Sequence, residues 1–517
     1  MNGAQIQWIT AGALLLFAVL MISIGVISYR KAKTIDGFLL GGRNVGPIVS
    51  AFAYGTSYFS AVIFVGYAGK HGWDIGVSSM WIGVGNAVLG CLLAWCVLAK
   101  PTRRMTHRLK SKTMPEFFEG RYDSKALKII SALIIFIFLV PYSAAVYKGL
   151  GAMFNVIFPN ISVNWCMFII AALTAVYLVL GGYLATVYTD FVQGIIMIGG
   201  IALMIVSVLK YLGANGTDNV FEALAAIPMG EDGVSGAKLT SVWGGSSFKF
   251  LCTNILLTSF GTWGLPQMVT KYYAIKDDKN SIKHATWIST LFCLIIGCGA
   301  YFTGSLSRLV LSNTLPQGGK DFVIPQMLIT ALGGSSFTVI ILAVILILLL
   351  SASMSTLASV VLSSASAVSV DLVPEIKKDL KPKSQMVLTR VLCLVFVALS
   401  YIFATLNITI IVNIMSFSWG VVSGAFIGPY ILGLFSKKAG KKSAFCGMFA
   451  GLLGLFVPAV WLTVTGGFPA AVSHTPEMGV LAMAVSIVVT TLVSSFEKPM
   501  SPEKCNLLFE QAGVSYC

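Results

Sequence analysis

The stretch Ser351-Ala352-Ser353-Met354-Ser355-Thr356-Leu357-Ala358-Ser359 lies inside an apolar segment that runs from about residue 336 to residue 370. On a helix, Ala352, Ser355, Thr356 and Ser359 share one face, because they are three, four and seven residues apart. The adjacent hydroxyls and the carbonyl one turn earlier form an uncharged oxygen cluster, which suits a hard cation such as a small alkali ion. Serine and threonine also pack membrane helices closely or bond to their own backbone, and on this helix alone that is the more common interpretation.

The composition of the whole chain indicates the class of protein. Of the 517 residues, 56% are hydrophobic and only 11% are charged, unlike a soluble globular protein. A helix needs roughly 20 apolar residues to cross the hydrocarbon core of a bilayer. The sequence predicts an all-α polytopic membrane protein with about thirteen such segments, at residues 7–29, 45–70, 74–98, 129–157, 165–185, 188–211, 248–268, 284–310, 336–370, 387–405, 408–435, 443–465 and 477–496. The remaining loops are too short to hold a soluble domain.

Lysine and arginine are concentrated in alternate loops. Arg30, Lys31, Lys33 and Arg43 follow the first segment, so the positive-inside rule places that loop in the cytoplasm and the N-terminus outside. Thirteen spans then place the C-terminus in the cytoplasm. Four later loops are predicted on the same side by their cations: Lys100, Arg103, Arg104, Arg108, Lys110, Lys112, Lys271, Lys276, Lys279, Lys377, Lys378, Lys381, Lys383, Lys437, Lys438, Lys441 and Lys442. Topology therefore explains the net charge of +15, which requires no nucleic acid or acidic partner.

Nucleophiles and metal ligands do not cluster along the chain. The ten cysteines are scattered, without the paired spacing of a disulfide framework or a zinc site. His71, His107, His284 and His474 lie at loop ends far apart in sequence, with no metal-ligand or nucleophile–base arrangement among them. The sequence therefore argues against an integral-membrane hydrolase, and we expect no catalytic residue.

Two of the apolar segments are interrupted near their centres. Residues 53–61 of the second segment read AYGTSYFSA, and residues 258–267 of the seventh read TSFGTWGLPQ. Glycine and proline weaken a helix, and non-helical backbone at membrane depth is tolerated only where protein buries it or water reaches it. Interrupted helices five spans apart predict an inverted-repeat transporter with its binding site at the midplane. The alternative is that one or both interruptions are ordinary kinks.

This pattern divides the chain into four parts, in which the two interruptions occupy corresponding positions of two repeats. The parts are an extra helix with a cytoplasmic loop at residues 1–44, a first repeat of spans two to six at 45–245, a second repeat of spans seven to eleven at 246–436, and two further helices with a cytoplasmic tail at 437–517.

Short motifs are spread over nearly the whole chain: Gly41-Gly42-Arg43, Gly181-Gly182-Tyr183-Leu184-Ala185, Thr189-Asp190-Phe191-Val192-Gln193, Gly264-Leu265-Pro266-Gln267 and Met354-Ser355-Thr356. Together with the interrupted second span, they resemble the sodium/solute symporter family, which includes bacterial transporters of proline, pantothenate and sialic acid. The stretch from Gly433 to Gly447 is similar to the second signature of that family, with serine in place of a usual glycine. The resemblance implies the LeuT-type fold, with 5+5 inverted repeats, one extra helix before them and two after.

The resemblance also implies a sodium site between the interrupted second span and the ninth span. Its ligands would be the carbonyls of Thr56, Phe59 and Ala352 and the hydroxyls of Ser355 and Thr356. Three of these residues are already on one helix face by their spacing. The resemblance therefore favours the cation interpretation of the hydroxyl cluster.

A second sodium ion is implied by the resemblance to some members of the family, through Asp190 and hydroxyls of the ninth span. This chain has Asp190 and Ser359, but Ala358 where such members have another serine. Asp190 has an alternative role, because it follows Thr189 at the predicted start of a helix, where a carboxylate caps free N–H groups. Both roles remain open.

The predicted solute contacts lie at the two interruptions and on the fourth span. Where proline transporters have aromatic contacts in the seventh span, this chain has Thr258 and Thr262, and it has Tyr58 where an aspartate is expected. Proline is therefore not favoured, and the hydroxyls predict a small polar solute, although close packing is the more common role of each. We expect the solute to contact Tyr58, Ser60, Tyr142, Lys148, Thr258, Thr262, Trp263 and Pro266.

Lys148 lies in the fourth span, roughly 28 Å along a helix from its predicted cytoplasmic start and thus past the midplane. A lysine at this depth snorkels, meets a carboxylate or faces a water-filled cavity. The functional hypothesis is that its ammonium faces the outer vestibule beside Tyr142 and Tyr147 and attracts a substrate carboxylate. Snorkelling is the alternative.

These features predict a sodium-coupled secondary active importer of a small polar organic solute, such as a carboxylate or an amino acid, by alternating access in the plasma membrane. Its partners are the solute, sodium (Na+) and the lipid bilayer, with no obligate protein partner evident. A proton-coupled transporter of the same fold is disfavoured by Ser355 and Thr356, since it would place a titratable group there. A membrane sensor would need an output module, yet only some twenty residues follow Phe496.

Overall fold

Helices form nearly all of the protein in this computed structural model, which describes residues 3–29, 35–230, 233–276, 279–377 and 381–509. Their bounds are α1 Gly3–Tyr29, α2 Ile35–Leu40, α3 Pro47–Tyr58, α4 Ala68–Ile75, α5 Met80–Gly85, α6 Lys100–Arg108, α7 Met114–Tyr122, α8 Lys125–Ile157, α9 Val163–Ala214, α10 Val220–Ala225, α11 Gly236–Leu239, α12 Phe248–Gly264, α13 Pro266–Ala274, α14 Lys279–Ser305, α15 Ser307–Val310, α16 Val323–Leu332, α17 Ser336–Ser366, α18 Val373–Ile376, α19 Pro382–Thr405, α20 Ile411–Phe435, α21 Lys441–Ser473, α22 Thr475–Ser495 and α23 Pro502–Phe509. Short 3-10 and π-helical turns join several of them. The predicted cytoplasmic cations Arg30, Lys31, Lys33 and Lys378 lie outside the described residues.

Each of the thirteen predicted segments is mostly helical. Within the described ranges, ten helices are long and apolar enough to cross a membrane. The count is lower than thirteen because one continuous run from Val62 to Arg108 covers parts of two predicted segments, while Val163–Val176 and the 17-residue α12 are shorter. The all-helical polytopic class is confirmed, and the number of spans remains a prediction.

The two predicted interruptions are both present, but the second is narrower than expected. α3 ends at Tyr58, and Phe59 is extended (φ −104°, ψ 121°). α12 continues unbroken to Gly264, and only Leu265 is extended (φ −79°, ψ 122°). Proline disfavours helical geometry in the residue before it and suits the first position of a helix, so α13 starts at Pro266.

The fifth and sixth predicted segments form the single element α9, in which Gly182 is non-helical (φ 55°, ψ −148°). Only glycine adopts this geometry readily, and a Cβ there would lie 2.4 Å from the Phe38 ring. Because helical geometry resumes right after Gly182, Asp190 lies about two turns inside a helix rather than at its start. The capping role considered for Asp190 is therefore wrong.

Close backbone contacts hold the second half of the first broken helix, and the following helix α5, against α14. A Cβ on Gly72 would lie 2.2 Å from the carbonyl carbon of Gly304, and one on Gly83 would lie 2.7 Å from that of Gly297. In lipid, such small residues allow the dispersion contacts that drive helix association. α17 packs on α3 and α9, and α20 packs on α12 and α22. The breaks are thus enclosed by protein.

Backbone hydrogen bonds join the start of α3 to the end of α13. Val45 N donates to the Ala274 carbonyl at 3.1 Å, and Lys276 N donates to the Val45 carbonyl at 3.0 Å. The Arg103 guanidinium donates to the Ile275 carbonyl at 2.6 Å. One half of each broken helix is thereby attached to one half of the other.

Candidate sodium and solute site

The break after α3 leaves carbonyl groups available for a ligand. The last four carbonyls of a helix have no partner within it, and here only the Gly55 carbonyl accepts a cap bond, from Phe59 N at 3.3 Å. The carbonyls of Thr56 and Ser57 instead face α17. Phe59, a predicted ligand, lies at the break itself, and its side chain is fully buried.

Four of the five predicted sodium ligands form one buried oxygen cluster between α3 and α17. The Thr356 hydroxyl lies 3.1 Å from the Ala352 carbonyl and 3.5 Å from the Thr56 carbonyl. It also lies 3.2 Å from the Ser57 carbonyl, which the sequence analysis did not include. The Ser355 hydroxyl donates to the Thr56 hydroxyl at 2.8 Å. All of these residues are almost completely buried.

The chemistry of this cluster fits a sodium ion. Its donors are carbonyl and hydroxyl oxygens without formal charge, and hard oxygen ligands are those that hard cations prefer. They come from two helices whose bonded residues are 299 and 300 positions apart in sequence. An ion bound here would connect the broken helix to α17.

A buried ion pair lies next to this cluster and involves both residues predicted for a second sodium. Asp190 Oδ2 lies 3.5 Å from Lys271 Nζ, and the same ammonium donates to the Ser359 hydroxyl at 3.0 Å. The Ser359 hydroxyl lies 3.0 Å from that of Ser57. The chain Asp190–Lys271–Ser359–Ser57 thus reaches the broken end of α3.

The position of Lys271 corrects the topology prediction, which counted it among the cations of a cytoplasmic loop. α13 extends to Ala274, beyond the predicted end of the seventh span, so Lys271 lies on a helix inside the protein. The residue is only 2% exposed, and Asp190 is 0% exposed. The only feature of the sequence that could have indicated its burial is its place five residues after Pro266, which begins a helix.

A cavity opens beside this ion pair. Its wall includes Pro266, which the sequence analysis assigned to the solute, together with Lys271 and Ser359. Thr113 and Tyr183 form other parts of the wall. Pro266 therefore lies on the same side as Lys271, apart from the other predicted solute contacts.

Several predicted solute contacts meet between the two broken helices. The Tyr58 hydroxyl donates to the Thr258 carbonyl at 2.7 Å, and the Thr258 hydroxyl lies 2.7 Å from Asn86 Oδ1. Trp419, which the sequence analysis missed, packs between Tyr58 and Tyr142, with ring centroids 6.2 Å and 5.8 Å away. A tryptophan in the middle of the apolar α20 gave no signal that distinguished it from other core residues.

The remaining predicted contacts have protein partners of their own. Thr262 donates to the Gly90 carbonyl at 3.1 Å, and Trp263 Nε1 donates to the Leu89 carbonyl at 3.1 Å. The Ser60 hydroxyl accepts from Val62 N at 3.2 Å, just after the break. These bonds fix the walls around the aromatic cluster.

Lys148 forms an ion pair away from these groups. Its ammonium lies 3.5 Å from Asp321 Oδ2 and also donates to the Thr409 carbonyl. Asp321 in turn accepts from Ile411 N, the first residue of α20, at 3.2 Å. Burial raises the pKa of Asp321 above its ordinary value, although the Lys148 ammonium opposes this shift. Lys148 therefore already has a carboxylate partner within the protein.

Two helices broken inside a helical bundle, with an oxygen cluster between one break and α17, define a secondary transporter of the LeuT type. The sodium:solute symporter family model matches residues 38–451, and the chain belongs to this family, whose members are transporters and not enzymes. It is 27% identical over 482 residues to the osmoregulated proline transporter OpuE of Bacillus subtilis, across 92% of this chain and 93% of that relative.

Solved structures show the same fold at low sequence identity. A Na+-coupled sialic acid symporter in a substrate-bound outward-open state has a TM-score of 0.76 and 18% identity, covering 95% of this chain and 98% of that one. MhsT in complex with L-phenylalanine has a TM-score of 0.51 and 14% identity, covering 88% and 98%. The LeuT-type fold implied by the sequence motifs is confirmed, and the protein is an integral membrane protein.

Proposed function

We propose that the protein imports a small polar organic solute by sodium-coupled alternating access. The observation that carries this proposal is the oxygen cluster that α17 shares with the broken end of α3, where the Thr356 hydroxyl lies within 3.5 Å of three backbone carbonyls. Membership of the sodium:solute symporter family supports it. The proposed location is the plasma membrane, with the N-terminus outside and the C-terminus in the cytoplasm.

Sodium would act by connecting α17 to α3. With the ion bound, the carbonyls at the end of α3 and the hydroxyls of Ser355 and Thr356 share one ligand, which favours the outward-open state that accepts the solute. Release of the ion inside removes this connection. One ion moving down a tenfold gradient and about 100 mV contributes about 3.7 kcal/mol, enough for about 500-fold accumulation of a neutral solute.

The proposed solute pocket combines aromatic surfaces with a few polar groups. Tyr58, Tyr142 and Trp419 supply the rings, and Thr258 and Asn86 supply polar atoms. The side-chain nitrogen of Asn86 is buried without a hydrogen-bond partner in the described part of the chain, so it can donate to a carbonyl or carboxylate of the solute.

We propose an amino acid or a small carboxylate other than proline as the solute. The relative OpuE is named a proline transporter, but Thr258 and Thr262 stand where proline transporters have aromatic residues. To attract a solute carboxylate, Lys148 would have to exchange its bond to Asp321 for one to the solute. That role of Lys148 stays a prediction.

Thermal-shift screening of the purified protein against amino acids, carboxylates and sugars, with and without sodium, tests this proposal. We expect one class of solutes to stabilise the protein only when sodium is present. Uptake of the best solute into proteoliposomes should then require an inward sodium gradient. Uptake driven by a proton gradient without sodium would favour the proton-coupled alternative, and binding without uptake would favour the sensor.

A further inference from the structure

The ammonium of Lys271 has the surroundings of a bound cation. It lies 3.0 Å from the Ser359 hydroxyl, 3.5 Å from the Asp190 carboxylate and 5.4 Å from the centre of the Tyr183 ring. A hydroxyl, a carboxylate and an aromatic face all stabilise positive charge. These contacts come from α9 and α17, whereas Lys271 itself lies on α13.

We propose that the Lys271 ammonium occupies the position of a second coupling cation, so that the protein binds one exchangeable sodium ion rather than two. The proposal rests on the proposed function, because it assumes that sodium binds at the cluster of Thr56, Ser355 and Thr356. Asp190 and Ser359 then hold a cation that belongs to the chain and is never released.

Charge balance supports this assignment. Lys271 and Asp190 are 2% and 0% exposed, so water does little to screen their charges. A sodium ion added beside them would put two positive charges next to one carboxylate, and buried charges are stable only when they are paired. Ala358 offers no side-chain oxygen to compensate.

One oxygen of the Asp190 carboxylate is available to a second ion, so the number of bound ions must be measured. Asp190 Oδ1 is buried and has no hydrogen-bond partner in the described residues. It could supply one oxygen to a second ion. While the ammonium is bonded to the Ser359 hydroxyl, this carboxylate oxygen alone makes a poor sodium site, since the ion normally takes several oxygen ligands.

The choice of lysine matters for this role. Its ammonium is a compact point charge with three donors, so it fits a space of ionic size. The cavity that reaches Lys271 and Ser359 shows that a mobile ion could approach the same position if the ammonium were absent. Removal of the ammonium should therefore convert this position into a sodium site.

Counting bound sodium on the purified, solute-free protein with radioactive sodium tests the proposal. We expect one ion per wild-type molecule with a Hill coefficient of 1. Lys271→Met should raise the count to two, because Asp190 and Ser359 then face a vacant position. Lys271→Arg and the double variant Lys271→Met/Asp190→Asn should both keep one ion, since the first retains the charge and the second removes the carboxylate.

A matched control is Lys148→Met, which removes a partly buried lysine that also pairs with an aspartate, and the sodium count of this variant should stay at one. Two ions on the wild-type protein would overturn the inference while leaving the proposed function intact. So would one ion on folded Lys271→Met protein. If that variant does not fold, the wild-type count alone decides. A wild-type protein that binds no sodium would instead contradict the proposed function.

Discussion

The lysine–aspartate pairs Lys271–Asp190 and Lys148–Asp321 differ in what surrounds them. Asp190 lies inside the long helix α9 and Lys271 on the short helix α13, and hydrogen bonds connect the Lys271 ammonium through the Ser359 hydroxyl to the broken helix. Lys148 and Asp321 have exposed side-chain fractions of 15% and 9%, and their other partners are backbone groups at the start of α20. The Lys271 ammonium is therefore surrounded as a bound cation would be, whereas the pair Lys148–Asp321 holds the start of α20 in place.

The largest effect is expected when the pair of Asp190 and Lys271 is broken. Lys271→Met leaves a buried carboxylate without a partner, which should lower the free energy of unfolding by about 3–5 kcal/mol in sodium-free buffer. Sodium should restore much of this loss, because the ion can replace the ammonium. Asp190→Ala should be equally unstable but insensitive to sodium at this position, since it leaves a buried ammonium. Thermal or denaturant unfolding with and without sodium measures both variants.

The sodium cluster itself gives the next largest effect. Thr356→Val keeps the shape of the side chain but removes an oxygen that lies near three carbonyls. Half-saturating sodium should rise at least tenfold, equivalent to about 1.4 kcal/mol. Proteoliposome uptake at varied sodium concentrations provides the measurement. Unchanged sodium dependence would refute the assignment of the cluster, and Lys148→Met should not shift it.

Asp321→Asn tests the role of the pair Lys148–Asp321. It weakens the bond to Lys148 and the contact with the first N–H group of α20, so a loss of stability of about 1 kcal/mol is expected. Sodium affinity should stay within a factor of two. A large change in sodium affinity would contradict the distinction between the two pairs.

The smallest effect concerns the Ser57 hydroxyl, which connects the pair Lys271–Asp190 to the broken helix through Ser359. Ser57→Ala removes one neutral hydrogen bond to Ser359, worth about 0.5–1 kcal/mol, but keeps the Ser57 carbonyl. Sodium affinity should fall no more than a few-fold in binding assays. An effect as large as that of Thr356→Val would mean that the hydroxyl, and not the carbonyl, contacts the ion.

The sequence predicted the parts of the site that have a local signal. Helical spacing put Ala352, Ser355 and Thr356 on one face, and glycine and proline marked both breaks. Lys271 was assigned wrongly because its burial depends on Asp190, which is 81 positions away. The positive-inside rule treats every lysine near the end of a span as a loop residue and contains no information about such a partner.

Lys148 shows the same limit. Its depth in the fourth span was visible in the sequence, and an encounter with a carboxylate was one of the expected outcomes. The partner itself, Asp321, lies between the eighth and ninth predicted segments, 173 positions away in sequence. Distant charge pairing is set by how the helices cross, which residue spacing along one helix does not reveal.

The backbone bridge between Val45 and the end of α13 has a mechanical consequence for the transport cycle. Two backbone hydrogen bonds join the start of α3 to the end of α13, so we expect these two half-helices to move together. Spin labels placed on either side of the bridge should keep a constant separation in all conditions. The distance from these labels to α17 should change when sodium and solute are added. The angle between α17 and the joined half-helices α3 and α13 would then describe the conformational change.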